Sequence, residues 1–267
     1  MMRAFTLIEL LVVITIIVVL LALLMPALEK AVYEAELTVC SGQIKAIATG
    51  VTTGAMDRQR YYPSRDGMNS PHQVMSGADT RPVLHEYLGV SGLNKILVDP
   101  FCEEADIDGS VSGRNTYGTY WMFFGWNYTG AKNGGPGMRR IGDRWTYGGS
   151  KFDVLVQDMD VVQAGPSISQ WVSHPDTNGV LTPLSSSDKD PPWTTASHWV
   201  AATLDRGTVD LNFGAADCSV IRYRDIPKFS NQVGTEEETD KRMVQVGNFR
   251  DGDNTGQMGI VPQSLRR

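Results

Sequence analysis

Met1-Met2-Arg3-Ala4-Phe5-Thr6-Leu7-Ile8-Glu9-Leu10-Leu11-Val12-Val13-Ile14 opens the chain, and its apolar run continues through Met25 until Pro26 interrupts it. Between Leu10 and Met25 only Thr15 is polar. As a helix at about 1.5 Å per residue, Phe5 to Met25 reaches roughly 30 Å, the thickness of a bilayer's hydrocarbon core. Glu9 breaks the pattern. A carboxylate near the start of a spanning segment costs on the order of a few kcal/mol, so it calls for a partner. A cleaved secretory signal fits poorly: the apolar stretch exceeds the usual length of about 7–15 residues, and Met25-Pro26-Ala27-Leu28-Glu29 is no A-x-A-like site. A plain anchor, with Arg3 holding the amino end in the cytoplasm, fits the length but leaves Glu9 unexplained.

Beyond Pro26 the pattern stays helical and turns amphipathic. Leu28, Val32, Ala35, Val39, Ile44, Ile47, Ala48 and Val51 recur at helical spacing, with Glu29, Lys30, Gln43 and Lys45 on other faces. Proline removes one backbone donor and clashes with the preceding turn, so Pro26 is expected to kink the helix rather than end it. The expected stop is Thr52-Thr53-Gly54.

Net charge is −6 over 267 residues, which gives no support to nucleic-acid binding. Six Trp, nine Tyr and 27 Gly point to a loop-rich globular region rather than disorder. The three cysteines, Cys40, Cys102 and Cys218, allow one disulfide and one free thiol outside the cytoplasm, without fixing the pair.

Pro82 to Gly89 reads as a short helix, and Ile96 to Cys102 as an extended piece. Tyr117, Tyr120, Trp121, Phe123, Phe124, Trp126 and Tyr128 crowd one segment. Such a cluster either fills a core or stacks on sugar rings, and the core has the stronger claim because aromatics bury the most surface per residue. Phe152 to Asp158 reads as a strand. Thr208 to Phe213 and Cys218 to Tyr223 alternate around Gly214-Ala215-Ala216-Asp217, which predicts an antiparallel hairpin. Val244, Val246 and Phe249 mark another strand. Asp251-Gly252-Asp253-Asn254-Thr255-Gly256 sets oxygen side chains of Asp251, Asp253 and Thr255 around a glycine turn, a pattern that suits calcium. Pro262 stands where an EF-hand needs Glu. No GxSxG, HExxH or GxGxxG occurs, and His72, His85, His174 and His198 lack ligand spacing, so no enzyme is expected.

Ala4-Phe5-Thr6-Leu7-Ile8-Glu9-Leu10-Leu11-Val12-Val13-Ile14 resembles the amino-terminal motif of type IV prepilins and of type II secretion pseudopilins. The resemblance implies that a prepilin peptidase cuts between Ala4 and Phe5 and methylates the new terminus, leaving Glu9 as the fifth mature residue. Ala4 departs from the family's usual Gly, and Pro26 falls where many members carry a kinking proline. The resemblance also implies that Glu9 meets the amino terminus of a neighbouring subunit in a dry helix bundle. A buried charge is tolerable when paired, and removing one partner is costly. Leu211 to Val220 further resembles the hairpin that ends many pseudopilin-like chains of planctomycetes and related bacteria, with Cys218 in place of the usual Gly. Major pseudopilins carry a calcium site in a carboxyl-terminal loop, which adds to the calcium expectation.

The expected fold is therefore α+β and pilin-like, a long amino-terminal helix packed on an antiparallel sheet. Residues 1–4 form a leader, 5–26 a transmembrane or filament-core helix, 27–54 an amphipathic helix and 55–267 a β-rich globular domain. The expected function is that of a filament subunit in a type IV pilus or a pseudopilus. Its partners are other copies or other pilins, the prepilin peptidase, an inner-membrane assembly platform, and membrane lipid before assembly. The amino end stays cytoplasmic and the globular domain lies in the periplasm or outside the cell. The alternative is a membrane-anchored surface module that binds carbohydrate through exposed tryptophan and does not polymerise.

Overall fold

A computed structural model describes residues 6–64, 73–75, 86–87, 115–117, 120–125, 138–147, 150–158, 160–163, 169–172, 181–183, 202–204, 208–227, 242–247 and 257–266. The chain divides into two compact units, residues 1–39 and 40–267. One helix, α1 (Leu7–Asp57), contributes to both.

In the first unit α1 is apolar and bare. Every residue from Leu7 to Val32 is exposed. Pro26 sits inside the helix without ending it. Its missing N–H leaves the Ala22 carbonyl without an i+4 donor, a loss that good helix formers on either side absorb.

The amphipathic reading of the second half needs correction. Leu28, Val32 and Val39 stand 64%, 48% and 50% exposed, whereas Ile44, Ile47, Ala48 and Val51 are fully buried. These are two stripes, not one. At about 100° per residue, the five-residue step from Val39 to Ile44 turns the second group about 140° away from the first. Cys40 and Ala55 extend the buried stripe.

The helix also runs past its expected stop. Gly54 lies buried inside it, and termination comes after Asp57. Arg60 N–H bonds the Ala55 carbonyl at 2.7 Å, and Gln59 takes φ 57°. That six-to-one bond around a left-handed residue is a Schellman stop, built here on Gln59 rather than Gly. The exit is then strapped down: Tyr62 N–H donates to Arg139 O at 2.8 Å, and Ile141 N–H to Arg60 O at 2.9 Å. The Arg140 guanidinium lies 3.9 Å from the centre of the Tyr61 ring.

The strands of the second unit are, in chain order, β1 (Gln73–Met75), β2 (Asn115–Tyr117), β3 (Tyr120–Met122), β4 (Trp145–Tyr147), β5 (Ser150–Phe152), β6 (Val154–Asp158), β7 (Asp160–Gln163), β8 (Ser169–Val172), β9 (Leu181–Pro183), β10 (Ala202–Leu204), β11 (Thr208–Ala215), β12 (Val220–Pro227), β13 (Met243–Gly247) and β14 (Gln257–Pro262). Two antiparallel four-stranded sheets form, in the orders β12-β11-β6-β3 and β13-β14-β7-β8. Strand β6 is buried along its whole length, as a strand covered on both faces should be.

One face of the first sheet carries Gly214, Val156 and Met122 in register. A Cβ built on Gly214 would sit 2.7 Å from Ile44 Cγ2 and 3.3 Å from Val156 O, so α1 crosses here at a distance only glycine allows. The other face carries Trp121 and Phe213. From Trp121 a chain of rings continues: Phe123 at 6.1 Å, Trp145 4.5 Å beyond, and Phe152 5.4 Å further. Tyr120, Trp121, Phe123 and Phe124 are fully buried, so this part of the aromatic segment is core.

The predicted hairpin forms as β11 and β12. Cys218 N–H bonds Ala215 O at 2.9 Å and Cys218 takes φ 63°, the type I turn plus left-handed residue of a three-residue hairpin loop. The expected strand Phe152–Asp158 breaks at Asp153. There the backbone N–H donates to Leu265 O, and the carboxylate holds Arg144 Nε at 2.7 Å. The expected helix at Pro82–Gly89 is described only at residues 86–87, which are helical. The extended piece at 96–102, Trp126, Tyr128 and Phe249 lie outside the described residues.

Candidate functional site

The amino-terminal turn of α1 is built by Thr6 and Glu9. Thr6 N–H donates to Glu9 Oε2 at 2.8 Å, and the Thr6 hydroxyl donates to the same oxygen at 2.7 Å. In return Glu9 N–H donates to Thr6 Oγ1 at 3.2 Å. This reciprocal arrangement is a capping box, which satisfies helix-end donors that otherwise lack partners. The carboxylate also sits where the helix dipole favours negative charge. Thr6-x-x-Glu9 is the sequence signature of such a box, a signal that a search for an intermolecular partner passes over.

Glu9 is therefore satisfied within its own chain. It begins a helix that is long and apolar enough to cross a membrane by length and composition. Leu7, Ile8, Leu10, Leu11, Val12 and Val13 are between 46% and 82% exposed, an apolar surface that water does not tolerate over such an area. Such a surface suits contact with lipid or with other helices.

The remaining candidates fall out as follows. Ala4 and Phe5 lie outside the described residues, as do Asp251, Asp253 and Thr255 of the calcium pattern. Among the described residues no cluster of metal-ligating side chains occurs. Cys40 is buried and Cys218 partly exposed, neither is in a disulfide among the described residues, and Cys102 lies outside them. A Cys40–Cys218 disulfide is excluded. Cys218 Sγ contacts Thr52 Oγ1 at 3.6 Å, and Cys40 lies twelve residues up the same helix, about 18 Å away.

A second polar constellation has no counterpart in the sequence reading. On the helix-facing side of the first sheet, Tyr120, Asp158, Asn212 and Arg222 form a row across all four strands. Asp158 Oδ2 accepts from Asn212 N–H at 2.7 Å and from Asn212 Nδ2 at 2.8 Å. Arg222 Nε donates to Asn212 Oδ1 at 2.9 Å, and the Tyr120 hydroxyl donates to Gln43 Oε1 on α1. Asp158 and Asn212 are fully buried. A buried carboxylate is tolerable when several donors and a cation one step away share its charge. The row acts as a polar clamp between strands and helix.

Comparison with family models, curated proteins and solved structures gives no match for this chain.

Proposed function

We propose that this chain is a pilin-like subunit, held in a membrane by residues 5–26 and assembled into a filament through the apolar surface of α1. The observation that carries the reading is the bare apolar helix beginning at Thr6 and Glu9, at the end of which the prepilin-like motif stands. In lipid the surface stays dry; on assembly neighbouring helices keep it dry, so packing and charge pairing decide the equilibrium. Leu28, Val32 and Val39 carry the exposed apolar surface beyond Pro26, which extends the area a neighbouring helix would cover. The hairpin and its sheet supply the globular head. The head's partners, and the calcium pattern at 251–255, belong to this same proposal.

The alternative of a sugar-binding surface module draws on exposed aromatics. Both tryptophans whose side chains are described, Trp121 and Trp145, are fully buried, so nothing among the described residues favours it.

The capping box sharpens the test. Glu9→Gln keeps a side chain able to close the box but removes its charge, whereas Thr6→Ala opens the box and keeps the charge. If Glu9 pairs with a neighbour's amino terminus, Glu9→Gln abolishes filaments recovered from the cell surface or periplasm while monomer remains in the membrane fraction. Thr6→Ala then assembles nearly as well as wild type, losing about 1 kcal/mol of helix-end stability. Filaments from Glu9→Gln in wild-type amount would sink the charge-pairing role. An intact Met1, rather than an N-methylated Phe5, in the mass spectrum of the mature protein would sink the processing route.

A further inference from the structure

We infer that the arginine-rich strap closing α1 is a docking surface for a second copy of this chain, which it takes by the acidic run Glu236-Glu237-Glu238-Thr239-Asp240. The inference rests on the filament reading, because assembly is what brings heads together, and it names the chemistry by which they meet. Residues 57–62 and 138–144 carry five arginines, Arg58, Arg60, Arg139, Arg140 and Arg144, against two aspartates, Asp57 and Asp143. That is a local net charge of +3 in a chain of −6, which leaves −9 on the other residues.

Folding gathers these charges. Tyr61 and Arg140, 79 positions apart, form an antiparallel bridge flanked by the bonds Tyr62 N–H to Arg139 O and Ile141 N–H to Arg60 O. A pair of this kind brings its two side chains close, and the Arg140 guanidinium lies over the Tyr61 ring and donates to its phenol oxygen. The local carboxylates are already engaged. Asp143 Oδ2 accepts the backbone N–H of Arg140 at 2.7 Å and of Arg139 at 3.2 Å, and Asp57 Oδ2 accepts the Tyr87 hydroxyl. Arg144 holds Asp153. Arg60 and Arg139 are exposed and make no ion pair among the described residues.

Guanidinium forks match carboxylates, and one held flat on a ring has less freedom left to lose on binding. Arg60 also takes φ 72°, a left-handed conformation that costs a non-glycine residue free energy, beside like charges that repel it. Several carboxylates arriving together would relieve that repulsion. Glu236-Glu237-Glu238 is the one place in the sequence where three acidic residues are consecutive, and Asp240 makes four in five positions. Complementary charge fixes register and partner choice more than affinity. The strap would therefore align neighbouring heads, while the apolar surface of α1 supplies the association.

The full chain in its native envelope tests this. Arg139→Lys keeps the charge and adds an amine that carbodiimide joins to a carboxylate in direct contact. Two differently tagged copies are coexpressed, one carrying Arg139→Lys, and the amide is mapped by mass spectrometry. The link should join the two tags at Glu236, Glu237, Glu238 or Asp240, and should fade as salt is raised. Arg60→Glu with Arg139→Glu should lower filament yield about two- to thirtyfold, the range two exposed ion pairs span, with circular dichroism checking the fold. Adding Glu237→Arg and Glu238→Arg should restore the yield, which a merely structural role for the arginines does not predict. Filaments whose copies carry no such link, a link confined to one chain, or an unrestored yield would each overturn the inference and leave the filament reading standing. No filaments from the wild-type chain would remove both.

Discussion

Tyr87 donates its phenol to Asp57 Oδ2 at 2.5 Å, at the last residue of α1. That bond to a carboxylate, with smaller effects of burial and of Asp57 and Glu86 charge, pushes the phenol up to about 12. Because the folded value lies above the unfolded one of about 10, the contact's contribution is whole below pH 10 and is lost as pH rises through 12. Tyrosinate absorbance against pH, wild type minus Tyr87→Phe, should therefore show a midpoint near 12. Asp57→Asn should return the midpoint toward the ordinary value, and a wild-type midpoint near 10 would refute the contact. Single residues were unevenly legible. Thr6-x-x-Glu9 announces its capping box three residues apart, so local spacing alone reveals it. The Asp57–Tyr87 pair spans thirty residues and leaves no local mark.

For elements, local chemistry was a good guide wherever the element closes on itself. The β11–β12 hairpin follows from alternation plus a short turn, and Cys218 adopts there the left-handed conformation that glycine usually supplies. Helix α1 shows the limit. Its existence is plain from an uninterrupted helical pattern, but its end is not, because a Schellman stop needs a left-handed residue and Gln59 hides it. Gln59→Gly should relieve that backbone strain and raise stability by about 0.5–1 kcal/mol, allowing for glycine's greater unfolded freedom. Urea unfolding of the full chain reads the gain, and a lower midpoint would mean that Gln59 holds the strap through its side chain. The apolar positions between Leu28 and Val51 misled for a different reason. Helical spacing holds within each group of four, and only the five-residue step from Val39 to Ile44 separates the exposed group from the buried one.

At the scale of the whole molecule, the crossing of α1 over Gly214 decides how the second unit packs. Gly214→Ala drives a Cβ to within 2.7 Å of Ile44 Cγ2, an overpacking that should cost about 1–3 kcal/mol. Ile44→Ala removes the clashing methyl, so the double variant should lose less than the two single losses added together. Strict additivity in thermal unfolding would show that helix and strand do not meet there. The exposed apolar surface of residues 7–32 belongs to this scale too, since no part of the first unit covers it. Local sequence was enough for the long apolar helix, the hairpin and the aromatic segment, because periodicity, turn chemistry and burial tendency act over a few neighbouring residues. Tertiary structure alone decided which helix face is buried, which strand must carry glycine, and that Asp158, Asn212 and Arg222 form one row. Those outcomes depend on close packing and shared hydrogen bonds between residues dozens of positions apart, and no local pattern records such distances.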